Sequence, residues 1–345
     1  MKTKFLTALL LGFLAMMPVS IPAAEARLNL YIWSEYIDPQ IIKEFEQANQ
    51  CKVVIDLYEE AEAMMAKLQG AGSGLYDVVV PPDYLVPAMA KLGILAPLNR
   101  QRIPNLKNLD PAFANPPFDP GNKYSAAYQW GTLGIFIRSK GKVADTWGLI
   151  FDPKLQTGPF VMMDSMRDTI GAALKYKTLS LNSTNPEELK QARDLILQAK
   201  KRAVAFDNSV GGKNRVLSKE VAAAVVYSGE AVRAMSEDKE TQYIIPREGS
   251  QIWVDNMVLL AKGPNPVLGA RFINYILDPK VGAALSRYTK FATPNAEAKK
   301  LLEPEITGNL AIYPTPETMQ KLEFLKDLGG KSRIYDEVWT QIKTR

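Results

Sequence analysis

The chain has 345 residues, 47% apolar and 23% charged, which is enough for a large packed core and more than one ordinary domain holds, so two lobes are expected. It has no histidine and one cysteine, Cys51, which excludes Ser/His/Asp and Cys/His nucleophiles and internal disulfides and removes the usual zinc ligands, so neither metal nor cofactor is expected. The formal charge of +5 is spread along the chain without an Arg-rich stripe, which argues against nucleic acid as a partner.

Residues 1–26 open with Lys2 and Lys4, run apolar from Phe5 to Met17 and end in Ala24-Glu25-Ala26. This is the pattern of a secretory signal peptide with an A-x-A site cut after Ala26. The apolar run is shorter than the ~20 residues of a spanning helix, and Pro18 and Pro22 break it. Its removal takes away two lysines and one glutamate and leaves a charge of +4. Leu28 to Trp33 then reads as a strand, and Pro39 to Asn49, with Ile41, Ile42, Phe45 and Ala48 at helical spacing, as a helix. Cys51 to Tyr58 is the next strand, Met64, Met65 and Leu68 suit a helix ending at the flexible Gly70 to Gly74, and Tyr76 to Val80 is a third strand stopped by Pro81-Pro82. A helix from Tyr84 to Leu92 ends at Gly93, and a Pro-rich loop, Pro104 to Asn122, precedes two apolar segments, Tyr124 to Trp130 and Leu133 to Ile137. A second unit repeats the alternation: strand Phe160 to Met163, helices Arg167 to Tyr176 and Pro186 to Arg202, strand Ala222 to Tyr227 and a helix from Glu230. This spacing predicts an α/β protein with mostly parallel sheets flanked by helices. Gly330-Lys331-Ser332 and Gly70-x-Gly72-x-Gly74 lack the strand and helix context that phosphate or dinucleotide binding needs.

In open α/β sheets, ligands sit beyond the carboxyl ends of strands. Trp33-Ser34-Glu35-Tyr36 follow the first strand and Asp83-Tyr84 the third; Asp164-Ser165-Met166-Arg167-Asp168 follow the strand at Phe160, and Tyr227-Ser228-Gly229-Glu230 the one at Ala222. Trp253-Val254-Asp255 lead into an apolar strand, Met257 to Leu260. The recurring pair is an aromatic beside a carboxylate. A desolvated ammonium must meet opposite charge, and aromatic faces add roughly 0.5–2 kcal/mol each while covering methylenes, so such a pocket suits an elongated aliphatic cation. Each cluster also has a plainer reading. Tryptophans usually fill cores, Asp164 or Ser165 can cap a helix, Glu230 can favour a helix N-terminus, Glu35 can lie on the surface and Asp168 can pair with Arg167. The repetition at strand ends in both units favours a site.

Leu30-Tyr31-Ile32-Trp33-Ser34-Glu35-Tyr36, Tyr76-Asp77-Val78-Val79-Val80-Pro81, Asn108-Leu109-Asp110-Pro111, Pro117-Phe118-Asp119-Pro120, Trp253-Val254-Asp255, Asn274-Tyr275-Ile276-Leu277-Asp278-Pro279 and Ile312-Tyr313-Pro314 resemble, in order along nearly the whole mature chain, periplasmic spermidine/putrescine-binding proteins of ABC transporters. The resemblance implies a two-lobed type II solute-binding fold that closes on a polyamine by hinge motion and delivers it to an inner-membrane ABC permease. It also implies a periplasmic location, with no enzymatic activity and a monomeric state. The first lobe would hold 27–132 and 253–295, the second 133–252 and 296–345, with hinges near Gly131-Thr132, Gln251-Ile252 and Pro294. Trp33, Tyr36 and Trp253 match aromatics that box the methylene chain, Asp255 and Asp168 match acids that hold ammonium groups, and Ser34, Glu35 and Tyr84 match further contacts. Glu230 stands where putrescine-type members carry an aspartate. Ser165, Tyr227 and Leu325 depart from the spermidine pattern of acid, tryptophan and glutamine. Pro82 replaces a usual serine, with Asp83 beside it as a substitute acid. The choice among putrescine, spermidine and a longer polyamine stays open, as do a receptor for another cation or an amino acid, which would use Arg167 or Arg233, and, more remotely, a two-carboxylate glycoside hydrolase.

Overall fold

A computed structural model describes residues 25–344, so the signal-peptide reading lies, apart from Glu25 and Ala26, outside the described residues. The strands are β1 (Ala26–Trp33), β2 (Cys51–Tyr58), β3 (Val78–Val79), β4 (Leu95–Ala96), β5 (Ser125–Arg138), β6 (Phe160–Met163), β7 (Ala205–Asp207), β8 (Ala223–Tyr227), β9 (Thr241–Ile244) and β10 (Ile252–Leu260). They lie in the order β2-β1-β3-β10-β5-β8-β6-β7, with β4 on β10 and β9 on β5. Parallel pairs are β1 with β2 and β3, and β6 with β7 and β8. β5 and β10 run antiparallel to every neighbour. The sheet is therefore mixed, with parallel pairing confined to the outer strands. Local β-α-β connections make parallel pairs, whereas β5, which passes from one half of the molecule to the other, and β10, which enters the first half from the joint, run against their neighbours.

β5 is the shared member. Ser125 to Thr132 pairs with β10, and Leu133 to Ile137 pairs with β8. Tyr124 to Trp130 and Leu133 to Ile137, expected as separate segments, are one 14-residue strand. Gly131 interrupts the apolar run because a Cβ there would stand 2.7 Å from both Ser228 Oγ and Trp253 Cζ2; the glycine permits close packing and ends no strand. Tyr76 to Val80 narrows to β3, since Pro81 and Pro82 curtail pairing.

Apolar residues pack on both faces of each sheet half. Leu30, Phe45 and Phe272 belong to one cluster and Tyr31, Met64 and Val258 to its opposite face. Across the joint, Phe160, Ile170 and Ile196 share one cluster, and Phe136, Val161 and Val226 another. The C-terminal tail departs from expectation. Ala298, Leu302, Ile312 and Tyr313 are buried in the first core, while Tyr335, Val338 and Ile342 enter the second. The segment after 295 thus stays on the first half, held by apolar burial, and crosses near Glu323 rather than Pro294. At the joint three chain passes lie side by side: Leu133 N donates to Gln251 O (3.1 Å), Ile252 N to Glu323 O and Glu323 N to Ser250 O (both 3.0 Å). The Glu323 carboxylate pairs with Lys175 and accepts from Ser180 Oγ at 2.8 Å, fastening this pass to the second half. Among the described residues no helix is long and apolar enough to cross a membrane.

Candidate functional site

The strand ends of the two halves face each other across a solvent-open cleft of about 830 Å³, open space at its mouth included. From the first half the wall takes Trp33 at the end of β1, Ser34 and Tyr36 after it, Tyr84 after β3, and Trp253 and Asp255 on β10. From the second it takes Ser165 and Asp168 after β6, and Tyr227 and Glu230 at the end of β8. Trp253 and Asp255, two residues apart on one strand, share a face. The register against β5 shifts between Asp255 and Asn256, the kind of irregularity that re-aims side chains.

The aromatic wall is edge-to-face. The Trp253 ring lies 5.0 Å from Phe291, 5.5 Å from Tyr227 of the other half and 6.4 Å from Tyr36. Trp33 tilts against Tyr58 at 4.2 Å, and Tyr128 OH donates to Tyr36 O at 2.7 Å, fixing the turn that carries Tyr36. Trp33 Nε1, Gln251 Oε1 and Trp253 Nε1 are buried on this wall with no hydrogen-bond partner among the described residues. Buried polar groups are ordinarily paired, so their concentration here marks the cleft as a place for polar ligand or water.

Three buried carboxylates converge. Asp255 is 6% exposed, Glu230 7% and Asp168 4%. Burial drives the Asp255 pKa up to about 8, against the opposing pull of Tyr36, with the negative fields of Glu230 and Asp168 adding to the rise. Burial likewise lifts Glu230 to about 7, while Arg233, its own backbone, the Ser209 hydroxyl (3.2 Å) and Lys213 draw it down. Asp168 is raised by burial and eased by Tyr227 OH, which donates to it at 2.6 Å. None of the three forms an ion pair among the described residues, and neither Lys nor Arg lines the wall.

Of the residues expected at a ligand, Glu35 and Asp83 are not on the wall. Glu35 sits in a left-handed turn (φ 51°) and its carboxylate reaches Lys213 and Arg233. Asp83 lies behind Pro82 and Tyr84, with Oδ1 accepting from Tyr84 N at 2.9 Å and Oδ2 unpartnered among the described residues. Ser165 occupies the position before the helix Met166–Tyr176 but makes no capping bond. Asp164 pairs with Lys343 at 2.7 Å. The Arg167 guanidinium leaves Asp168 for Asn182 Oδ1 (3.1 Å) and Lys326 O (3.3 Å), and stacks over Tyr84 and Tyr335.

Sequence reasoning missed Glu59, Glu60, Asn208, Ser209 and Phe291 on the wall. Glu59 and Glu60 directly follow β2, where the strand-end rule applies unchanged. Asn208 and Ser209 follow β7, whose three residues carry too little pattern to be read as a strand. Phe291 lies after the helix Pro279–Thr289 and follows no strand, so no such signal pointed to it.

The model of the family described as bacterial extracellular solute-binding protein matches residues 40–314. The chain is 32% identical over 319 residues to the spermidine/putrescine-binding periplasmic protein of Salmonella typhimurium, covering 92% of this chain and 91% of that one. It is 34% identical to a putrescine/agmatine-binding protein of Pseudomonas aeruginosa, covering 93% of each. Among solved structures, a spermidine/putrescine ABC transporter protein of Listeria monocytogenes superposes with a TM-score of 0.87 at 36% identity, over 92% of this chain and 99% of that one. A substrate-binding protein of a spermidine/putrescine ABC transporter from Streptococcus pneumoniae gives 0.78 at 30% identity, over 93% and 99%. With its two-halved mixed sheet and a cleft at the joint, the chain belongs to the bacterial extracellular solute-binding protein family and has the type II periplasmic solute-binding fold.

Proposed function

We propose that this protein is a periplasmic receptor that captures a polyamine of the putrescine/spermidine class and hands it, as a monomer, to an inner-membrane ABC permease. The observation that carries this reading is the convergence of Asp255, Glu230 and Asp168 from both halves, buried without basic partners inside an aromatic wall. An unpaired buried carboxylate is costly, and a chain with ammonium groups at its ends and methylenes between offsets that cost while the rings cover its carbons. The names of the relatives point the same way. An amino-acid ligand would need a cation for its carboxylate. Arg167 and Arg233, the candidates, are engaged elsewhere and absent from the wall. No catalysis is proposed; the mechanism is closure about the three passes at Thr132, Gln251 and Glu323, with the ligand favouring the closed form by its contacts to both halves.

A ligand panel tests this. At about 100 times Kd, putrescine, spermidine or spermine is expected to stabilise the fold by ~2.7 kcal/mol. A thermal melt moved by none of them, or only by an amino acid, overturns the reading. The distal end allows a finer test. Ser165→Asp is expected to tighten spermidine by about tenfold, the size of one charge-assisted hydrogen bond, and putrescine by less; equal gains in calorimetry would remove Ser165 from that end.

A further inference from the structure

The Glu35 carboxylate belongs to the first half, yet both of its partners belong to the second. Glu35 Oε2 stands 3.1 Å from Lys213 Nζ, on the helix Ser209–Leu217, and 3.0 Å from Arg233 Nη2, on the helix Ser228–Glu237. Arg233 Nη1 also donates to Thr289 O at 3.1 Å, so this guanidinium grips the first half at two points. Lys213 is 7% exposed and has no other ion pair among the described residues. Glu35 itself holds a backbone conformation that disfavours a side chain.

We propose that Glu35 is a latch across the mouth of the cleft, a positioning residue that holds the halves together and offsets one of the two positive charges beside the acid end of the site. The second part rests on the polyamine reading. Lys213 and Arg233 both act on Glu230, whose pKa they lower against burial. Without Glu35, only Glu230 would oppose their charge, and more of its own charge would be drawn away from a cationic guest. With it, half of that positive charge is offset at the edge, and less of the inward acids' charge is spent on these cations. Opening the cleft separates Glu35 from both cations, so the same contact favours the closed form with or without a guest.

The variant is Glu35→Gln, which keeps shape and removes charge, with Glu35→Asp as the charge-retaining control. Spermidine dissociation, followed by stopped flow, is expected to speed up on the order of tenfold in Glu35→Gln, with association changing less. In an Arg233→Gln background the same change should have a smaller effect, because the two residues are coupled. Spin labels at Lys43→Cys and Lys190→Cys, on exposed helical positions of the two halves, report the separation of the halves without ligand. The short-distance population should fall in Glu35→Gln and be partly restored in Glu35→Asp. Unchanged dissociation and distances overturn the latch. A wild-type protein that binds no polyamine overturns the proposed function instead, and the distance measurement then decides the latch by itself.

Discussion

Asp255→Asn is expected to weaken polyamine binding by roughly two to three orders of magnitude, more than any other single substitution, because removing one partner of a buried charge pair costs about 3–5 kcal/mol. Asp255 combines the features that make such a loss large. It is fixed on a central strand rather than a loop, it is 6% exposed, and it shares its face with Trp253. Asparagine preserves volume and one acceptor, so the variant isolates charge from packing. Asp168 is cushioned by the Tyr227 hydroxyl and Glu230 by Ser209, so the corresponding amides at those positions should cost less. Calorimetric titration with putrescine and spermidine decides the matter; affinity unchanged from wild type would remove Asp255 from the site.

Affinity is also expected to rise with pH, on the order of 100-fold between about pH 6 and about pH 8. Asp255 at about 8 and Glu230 at about 7 are partly protonated across this range when no cation faces them. A bound polyamine favours their ionised forms, so capture at the lower pH must expel protons and is weakened accordingly. The effect on the free protein has the opposite sense. Both carboxyls hold protons more tightly folded than unfolded, so their contribution to stability is complete below the ordinary carboxylate range. It is lost as pH rises through 7 and 8. The melting temperature of free protein should therefore decline over this window, while that of the polyamine-bound protein declines less. Titrations in buffers of different ionisation heat should show proton release that diminishes towards pH 9 and shrinks in Asp255→Asn. A pH-independent affinity with no proton release would show that these acids do not meet the ligand's charge.

Much of this arrangement was legible in the chain. The helix Pro39–Asn49 and strands Cys51–Tyr58 and Phe160–Met163 have the predicted bounds, because capping residues, proline and apolar runs are local signals. The strand-end rule pointed to Trp33, Asp168 and Glu230, which line one wall although they are far apart in sequence, and the aromatic-carboxylate pairing pointed to Asp255, which lies within β10 on the same wall. What escaped is non-local. Glu35 looked like its neighbours Trp33, Ser34 and Tyr36, and only the approach of Lys213 and Arg233 from the other half explains its different direction. The tail after 295 carries short helices such as Ala296–Lys299 and Pro304–Thr307, whose few apolar residues do not reveal which core receives them. Gly131 read as a break because its reason, the flank of Trp253, lies on another strand.

The single strand common to both halves has a consequence for cooperativity. Neither half owns a complete sheet: without Leu133 to Ile137 the second loses one of the two ladder partners of β8, and without Ser125 to Thr132 the first exposes an edge of β10. The halves are thus not interchangeable modules to be expressed or transplanted separately, and denaturation should register as one concerted transition even though two hydrophobic interiors are present. A change of cargo preference is accordingly expected from substitutions on the cleft wall, with the backbone joint kept whole.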